Sequence, residues 1–137
     1  LSKTFLGDDK TVPYEARAEA RTAGNALGQS YGMLNNRAAI EFQAYTLASS
    51  HRLDVLPSAH IHDAQYFVIR DDVATVKWFN DTLIPCMQWQ ELEEIQHPEV
   101  KLGGDLEIFY PDWSKKISIP NGASEQLIME LCEKACE

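Results

Sequence analysis

The chain has 137 residues, 45% of them apolar and 24% charged, a balance that suits one globular domain with a single core. No apolar run approaches the roughly 18–20 residues of a membrane span, so none is expected. The formal net charge of -9 argues against tight nucleic-acid binding by the chain as a whole, because phosphate contacts supply most of that affinity.

The charge is unevenly spread. Residues 1–52 carry six Lys and Arg against five Asp and Glu, a net of +1. Residues 53–137 carry six against sixteen, a net of -10. Any phosphate-facing surface is therefore expected in the first half, and the second half reads as a solvated acidic exterior. The opening Leu-Ser-Lys-Thr-Phe has neither an initiator Met nor a signal-peptide pattern, which fits a fragment or processed product. Cys86, Cys132 and Cys136 lack zinc-ligand spacing with nearby histidines and read as reduced cytoplasmic thiols.

In chain order, residues 1–13 read as a loop, with a turn signal at Gly7-Asp8-Asp9 and a proline, Pro13, able to open a helix. Residues 14–49 are rich in Ala, Leu, Glu, Arg and Gln and predict one long helix or two abutting ones. On it, Arg21, Asn25 and Gln29 recur at four-residue spacing and share one face over two turns. Arg offers a charged fork to phosphate; Asn and Gln offer donors and acceptors suited to base edges. The bland reading is a solvated polar face. Gly24, Gly28 and Gly32 form a ridge without side chains beside it, suited either to close helix packing or to the approach of a bulky strand such as duplex DNA.

Two β-prone runs, 53–61 and 66–69, then flank His62-Asp63 with no Gly or Pro between them. Such a tight strand-turn-strand leaves His62 and Asp63 at the tip, where a carboxylate can meet a metal or a substrate. Asp71-Asp72 opens a second helix, favourably placed against its dipole, with Val73, Val76, Trp78, Phe79, Leu83 and Ile84 as its apolar residues. Pro85 is expected to kink or end it. Residues 100–110 alternate imperfectly around Gly103-Gly104 and predict a third strand. After a turn at Pro120-Asn121-Gly122, residues 124–136 predict a terminal helix capped by Ser124. His60 and His62 alternate along the first strand but have no evident third metal ligand; Trp78, Trp89 and Trp113 read as packing residues.

The segment Ser58-Ala-His-Ile-His-Asp-Ala-Gln-Tyr-Phe-Val-Ile69 resembles motif C of the family A (DNA polymerase I-like) polymerases, where an apolar strand ends in His-Asp and a second strand follows. Arg21-x3-Asn25-x3-Gln29 is similar to the helix that precedes motif C in that family, at a suitable interval from Asp63. Residues 100–113, ending in Pro-Asp-Trp113, are similar to its final strand and tryptophan-containing tail. The likeness covers residues 14–113 in order and is nearest to the bacteriophage branch. Ala64 stands where many relatives have Glu, and about two dozen residues follow Trp113 where many relatives end. Neither motif A, with the other metal-binding Asp, nor the nucleotide-gripping fingers helix is present in the chain.

The resemblance implies an α+β fold, a partial polymerase palm: a small antiparallel sheet with the motif C hairpin and helices packed on one face. It implies a single domain over residues 1–137, with a family-like region at 14–113 and a C-terminal extension at 114–137. It also implies template-dependent nucleotidyl transfer from a dNTP to a primer 3′-hydroxyl. Asp63 would be the catalytic metal ligand for Mg2+, and Arg21, Asn25, Gln29 and His62 would contact primer–template DNA. Two-metal transfer needs carboxylates around a metal pair about 4 Å apart. One Asp cannot hold that pair. The chain is thus expected to be inactive alone and to need the upstream region, or a separate polypeptide, carrying motifs A and B. The expected compartment is cytoplasmic, the host's if the chain is phage-encoded. Two alternatives stand beside this reading: a noncatalytic interaction subunit completing a split palm, and a small hydrolase using His62 and Asp63.

Overall fold

The computed structural model describes residues 13–89, 91–93 and 96–136. The loop expected over 1–13, with its turn at Gly7-Asp8-Asp9, lies outside the described residues except for Pro13. The elements run α1 (Pro13–Ala48), β1 (Val55–Ile61), β2 (Ala64–Ile69), α2 (Val73–Met87), β3 (Leu106–Phe109), β4 (Lys116–Ile119) and α3 (Glu125–Cys136). The fold is α+β, with three helices and two antiparallel hairpins among the described residues. No helix among the described residues is long and apolar enough to cross a membrane.

The chain divides into two compact units, Leu1–Leu34 and Asn35–Glu137. The first contributes the N-terminal part of α1. Within that unit, among the described residues, a Cβ added at Gly24, Gly28 or Gly32 meets nothing within 4 Å. Among the described residues, no helix packs against this ridge.

The second unit holds the core. Along α1 the buried positions are Asn35, Ala38, Phe42 and Thr46, the three- and four-residue spacing of one helix face. Thr46 donates its hydroxyl to the Phe42 carbonyl at 2.9 Å, which satisfies it inside the helix. Phe42 meets Phe67 of β2 and Phe79 of α2, and the cluster continues through Val55, Val76, Leu106, Ile117, Ile119 and Ile128.

Asp72 caps α2. Its carboxylate accepts from the Thr75 backbone N–H at 2.9 Å and from the Thr75 hydroxyl at 3.0 Å. The backbone bond first, then the hydroxyl, holds the Asp72 carboxyl below the usual carboxylate range. Pro85 lies inside α2, and the helix runs on to Met87, where the Gln88 N–H closes it on the Ile84 carbonyl at 3.1 Å. Burial pushes the Cys86 thiol up to about 11, in keeping with a protonated interior thiol.

Two differences from the sequence expectations concern the sheets. The strand expected over 100–110 is confined to Leu106–Phe109, and it pairs with β4, which was not anticipated. β4 alternates Lys116 out, Ile117 in, Ser118 out, Ile119 in, a period-two pattern that buries both isoleucines. The two hairpins form separate two-stranded sheets, not one sheet.

A buried side chain, Asn80, holds the turn that leads into α3. Asn80, 1% exposed, donates through Nδ2 to the Pro120 carbonyl at 3.0 Å and accepts at Oδ1 from the Gly122 N–H at 3.1 Å. Gly122 has φ +73, and its turn is closed by the Ala123 N–H on the Pro120 carbonyl at 3.1 Å. Ser124 then caps α3 by accepting from the Leu127 N–H at 3.2 Å. Asn80→Ala leaves the Gly122 N–H without its acceptor, while the Pro120 carbonyl keeps its bond from the Ala123 N–H, and is expected to cost about 1–3 kcal/mol. Urea unfolding measures this directly; a loss below about 0.5 kcal/mol would mean that water replaces the amide without penalty.

Candidate functional site

The first hairpin presents the tip that carries His62 and Asp63. β1 and β2 pair antiparallel from Val55↔Ile69 to Ile61↔Ala64, so the loop is the two residues His62 and Asp63. Pro57 lies in β1, on a two-stranded sheet where every strand has an open edge and a missing N–H is tolerated. A bulge between Pro57 and Ala59 adds one residue, Ser58.

The bulge changes which side chains face α1. Pairs opposite one another share a face, so Val55 and Ile69, Pro57 and Phe67, and then His60 and Gln65 lie on one side. Leu56 with Val68, Ala59 with Tyr66, and Ile61 with Ala64 lie on the other. His60 therefore turns toward the helix. His62 lies in the turn at the tip, as expected for His62-Asp63, and so does not share the strand face of His60.

His62 takes φ 55, the one non-glycine among the described residues with a positive φ. A positive φ at the first loop position is the requirement of a II′ turn, where Gly is usual. A side chain there costs roughly 1–2 kcal/mol against the preceding backbone. Such strain persists where surrounding structure over-determines it, and it clusters at functional positions. Asp63 follows, with its side chain exposed at the end of the ribbon.

Behind the tip, Asn35 is 4% exposed and meets both strands. Its Nδ2 lies 2.9 Å from His60 Nε2, and Gln65 Nε2 donates to Asn35 Oδ1 at 2.7 Å and to the Asn35 carbonyl at 3.2 Å. Asn35 and Gln65 were not singled out from the sequence as site residues. The signal was present for Asn35: a polar residue at the head of the buried stripe Ala38, Phe42, Thr46. On the outer face, Tyr66 stacks on Trp113 with centroids 5.1 Å apart, and Trp113 stacks on Phe109 at 5.8 Å. Trp113 is 69% exposed, so it packs through its ring faces and not within the core.

Arg21, Asn25 and Gln29 are exposed along α1 and belong to the unit Leu1–Leu34; His62 and Asp63 belong to the unit Asn35–Glu137. The Asp63 carboxylate is a hard oxygen donor of the kind Mg2+ prefers, and it is a single donor. Among the described residues, no three His, Cys, Asp or Glu side chains converge on a point where they could hold a metal ion. No protein-family model matches the chain, and neither does any curated protein or solved structure.

His62→Gly removes the strained side chain while loosening the unfolded chain, and a net gain of up to about 1 kcal/mol is expected. Thermal unfolding of the two proteins gives the sign. A loss of similar size would show that the imidazole makes a native contact worth more than the strain.

Proposed function

We propose that this chain is the C-terminal palm portion of a DNA-directed DNA polymerase of the family A, bacteriophage type. The observation that carries the reading is the exposed Asp63 at the tip of a two-residue antiparallel turn, directly after a His held in a left-handed backbone conformation. That is the strand-turn-strand setting that the motif C resemblance requires of this sequence.

In the proposed reaction a primer 3′-hydroxyl attacks the α-phosphate of a dNTP, a new P–O bond forms and pyrophosphate leaves. Positioning and charge stabilisation dominate catalysis of this kind. Bound Mg2+ supplies charge stabilisation at the phosphate and leaving group. Asp63 contributes one ligand oxygen, and the remaining carboxylates come from a region carrying motif A. His62, projected outward by its turn, is suited to the primer terminus. Arg21 offers a cation to a phosphate, while Asn25 and Gln29 present amides to base edges.

A second reading has its own support. Leu56, Ile61 and Val68 leave the outer face of the first hairpin apolar and exposed, as in a module that completes a palm in trans without catalysing anything itself.

The isolated chain is expected to show no primer extension. Within a complete polymerase, Asp63→Asn should keep primer–template affinity but lower single-turnover incorporation by at least about 100-fold, because the amide retains the shape and loses the charge. A near-normal rate would remove Asp63 from the metal site and leave the interaction module as the better reading.

Arg21→Ala should lower the slope of log affinity against log salt by about one unit, whereas Asn25→Ala and Gln29→Ala should leave that slope unchanged and weaken extension. A salt titration of primer–template binding with the three variants checks this. Unchanged slope, affinity and extension in all three would make the stripe a solvated helix face.

A further inference from the structure

We propose that Asn35 is a positioning residue for the His62–Asp63 tip, acting through hydrogen bonds in which the Gln65 amide donates to both the Asn35 carbonyl and Asn35 Oδ1, and Asn35 Nδ2 donates in turn to His60. The proposal rests on the reading of Asp63 as a metal ligand, and it adds the device that would hold that ligand in place.

The direction of these bonds follows from one fixed acceptor. The Asn35 carbonyl can only accept, so the Gln65 amide must turn its Nε2 toward it, as it does at 3.2 Å. The same Nε2 then donates to Asn35 Oδ1 at 2.7 Å. With Oδ1 committed, Asn35 can offer His60 only its Nδ2, at 2.9 Å. His60 Nε2 therefore accepts, and the ring proton sits on Nδ1. Reversing the Gln65 amide would set its oxygen against two acceptors. One backbone carbonyl thus fixes two amide orientations and one imidazole tautomer.

Position makes the network more than local packing. His60 and Gln65 are opposite one another in the ribbon, one pair behind Ile61↔Ala64, which closes the loop. Asn35 thereby grips both strands at equal distance from the tip. The ribbon needs such a grip: β1 is exposed at every position after Val55, a two-stranded sheet is marginal alone, and the bulge at Ser58 loosens the ladder just before His60. The network also has a cost that an apolar contact would avoid, since Gln65 Oε1 is buried with no hydrogen-bond partner among the described residues. A leucine at 35 would extend the apolar stripe but could not orient the pair behind the tip.

The test uses the 137-residue chain, labelled with 15N, and its Asn35→Leu variant. Three readouts are taken: the ring 15N signature of His60, amide exchange across 59–66, and line broadening around Asp63 on titration with Mn2+. In the parent chain the His60 signature should be that of the Nδ1–H tautomer. In Asn35→Leu the tautomer preference should be lost, and exchange across 59–66 should rise about tenfold while 106–119 stays unchanged. The Mn2+ midpoint should rise about tenfold. An unchanged tautomer and unchanged exchange overturn the clamp. Faster exchange with an unmoved Mn2+ midpoint overturns the positioning role. If the parent chain shows no broadening at Asp63, one carboxylate without the rest of its site is too weak a ligand for Mn2+, and the first two readouts alone decide the clamp: unchanged tautomer and exchange overturn it. If Asn35→Leu does not fold, His60→Leu and His60→Gln replace it. Leu should reproduce the loosening and Gln, which keeps an acceptor, should not; equal behaviour overturns the proposal.

Discussion

Three phenylalanine rings set the frame on which the second unit is built. Phe42 of α1, Phe67 of β2 and Phe79 of α2 meet edge to face, with centroids 5.3, 4.9 and 5.0 Å apart around the trio. Each such pair contributes about 0.5–1.5 kcal/mol beyond the apolar area it buries, and the T-shaped geometry fixes orientation as well as distance. Because the rings come from a helix, a strand and a second helix, the trio fixes the hairpin against both helices at once. Trp78 flanks it, 5.8 Å from Phe42 and stacked on His51 at 4.6 Å. Asn80, one residue beyond Phe79, then carries the order to the Pro120–Gly122 turn and so to α3.

The first hairpin is held on two faces and free at its end. Phe67 and the Asn35 amide engage the helix-facing side, and Trp113 engages Tyr66 on the other while also stacking on Phe109 of the second hairpin. Trp113 is thus a link between the two sheets. The tip projects beyond these contacts with a left-handed residue in it. An exposed carboxylate at the end of a braced ribbon is geometrically suited to meeting a ligand from outside the chain.

Electrostatics limit what the chain can do with DNA by itself. Several of its basic residues already face carboxylates: Arg37 with Glu41 at 2.8 Å, Arg70 with Asp54 at 3.2 Å, Lys77 with Asp81 at 2.7 Å and Lys116 with Glu107 at 2.7 Å. Arg37 also lies over the Trp89 ring, 3.8 Å from its centroid. Exposed pairs of this kind add little stability, but they neutralise charge that phosphate contacts would otherwise use. With a net charge of -9 in all, most of the phosphate attraction in the proposed complex would come from the rest of the polymerase.

Much of the local structure was legible in residues alone. Helix periodicity marked α1 and α2, the acidic pair at 71–72 contained the α2 cap, Ser124 marked the start of α3, and β-prone runs on either side of His62-Asp63 identified the first hairpin. These signals are local: caps, turns and periodicity act within a few residues of their cause. β4 carries an equally local signal in the alternation of Ile117 and Ile119, beyond the reach of the polymerase likeness, which ends at Trp113. Other features had no local signal. The bulge at Ser58 that turns His60 toward α1, the orientation of the Asn35 and Gln65 amides, and the use of Asn80 to hold a turn forty residues away each depend on which buried donor meets which acceptor across elements. Sequence determined the elements and offered Asp63 as the candidate. Tertiary packing decided the surroundings of that candidate, because a polar group taken out of water is stable only where another part of the chain arrives to satisfy it.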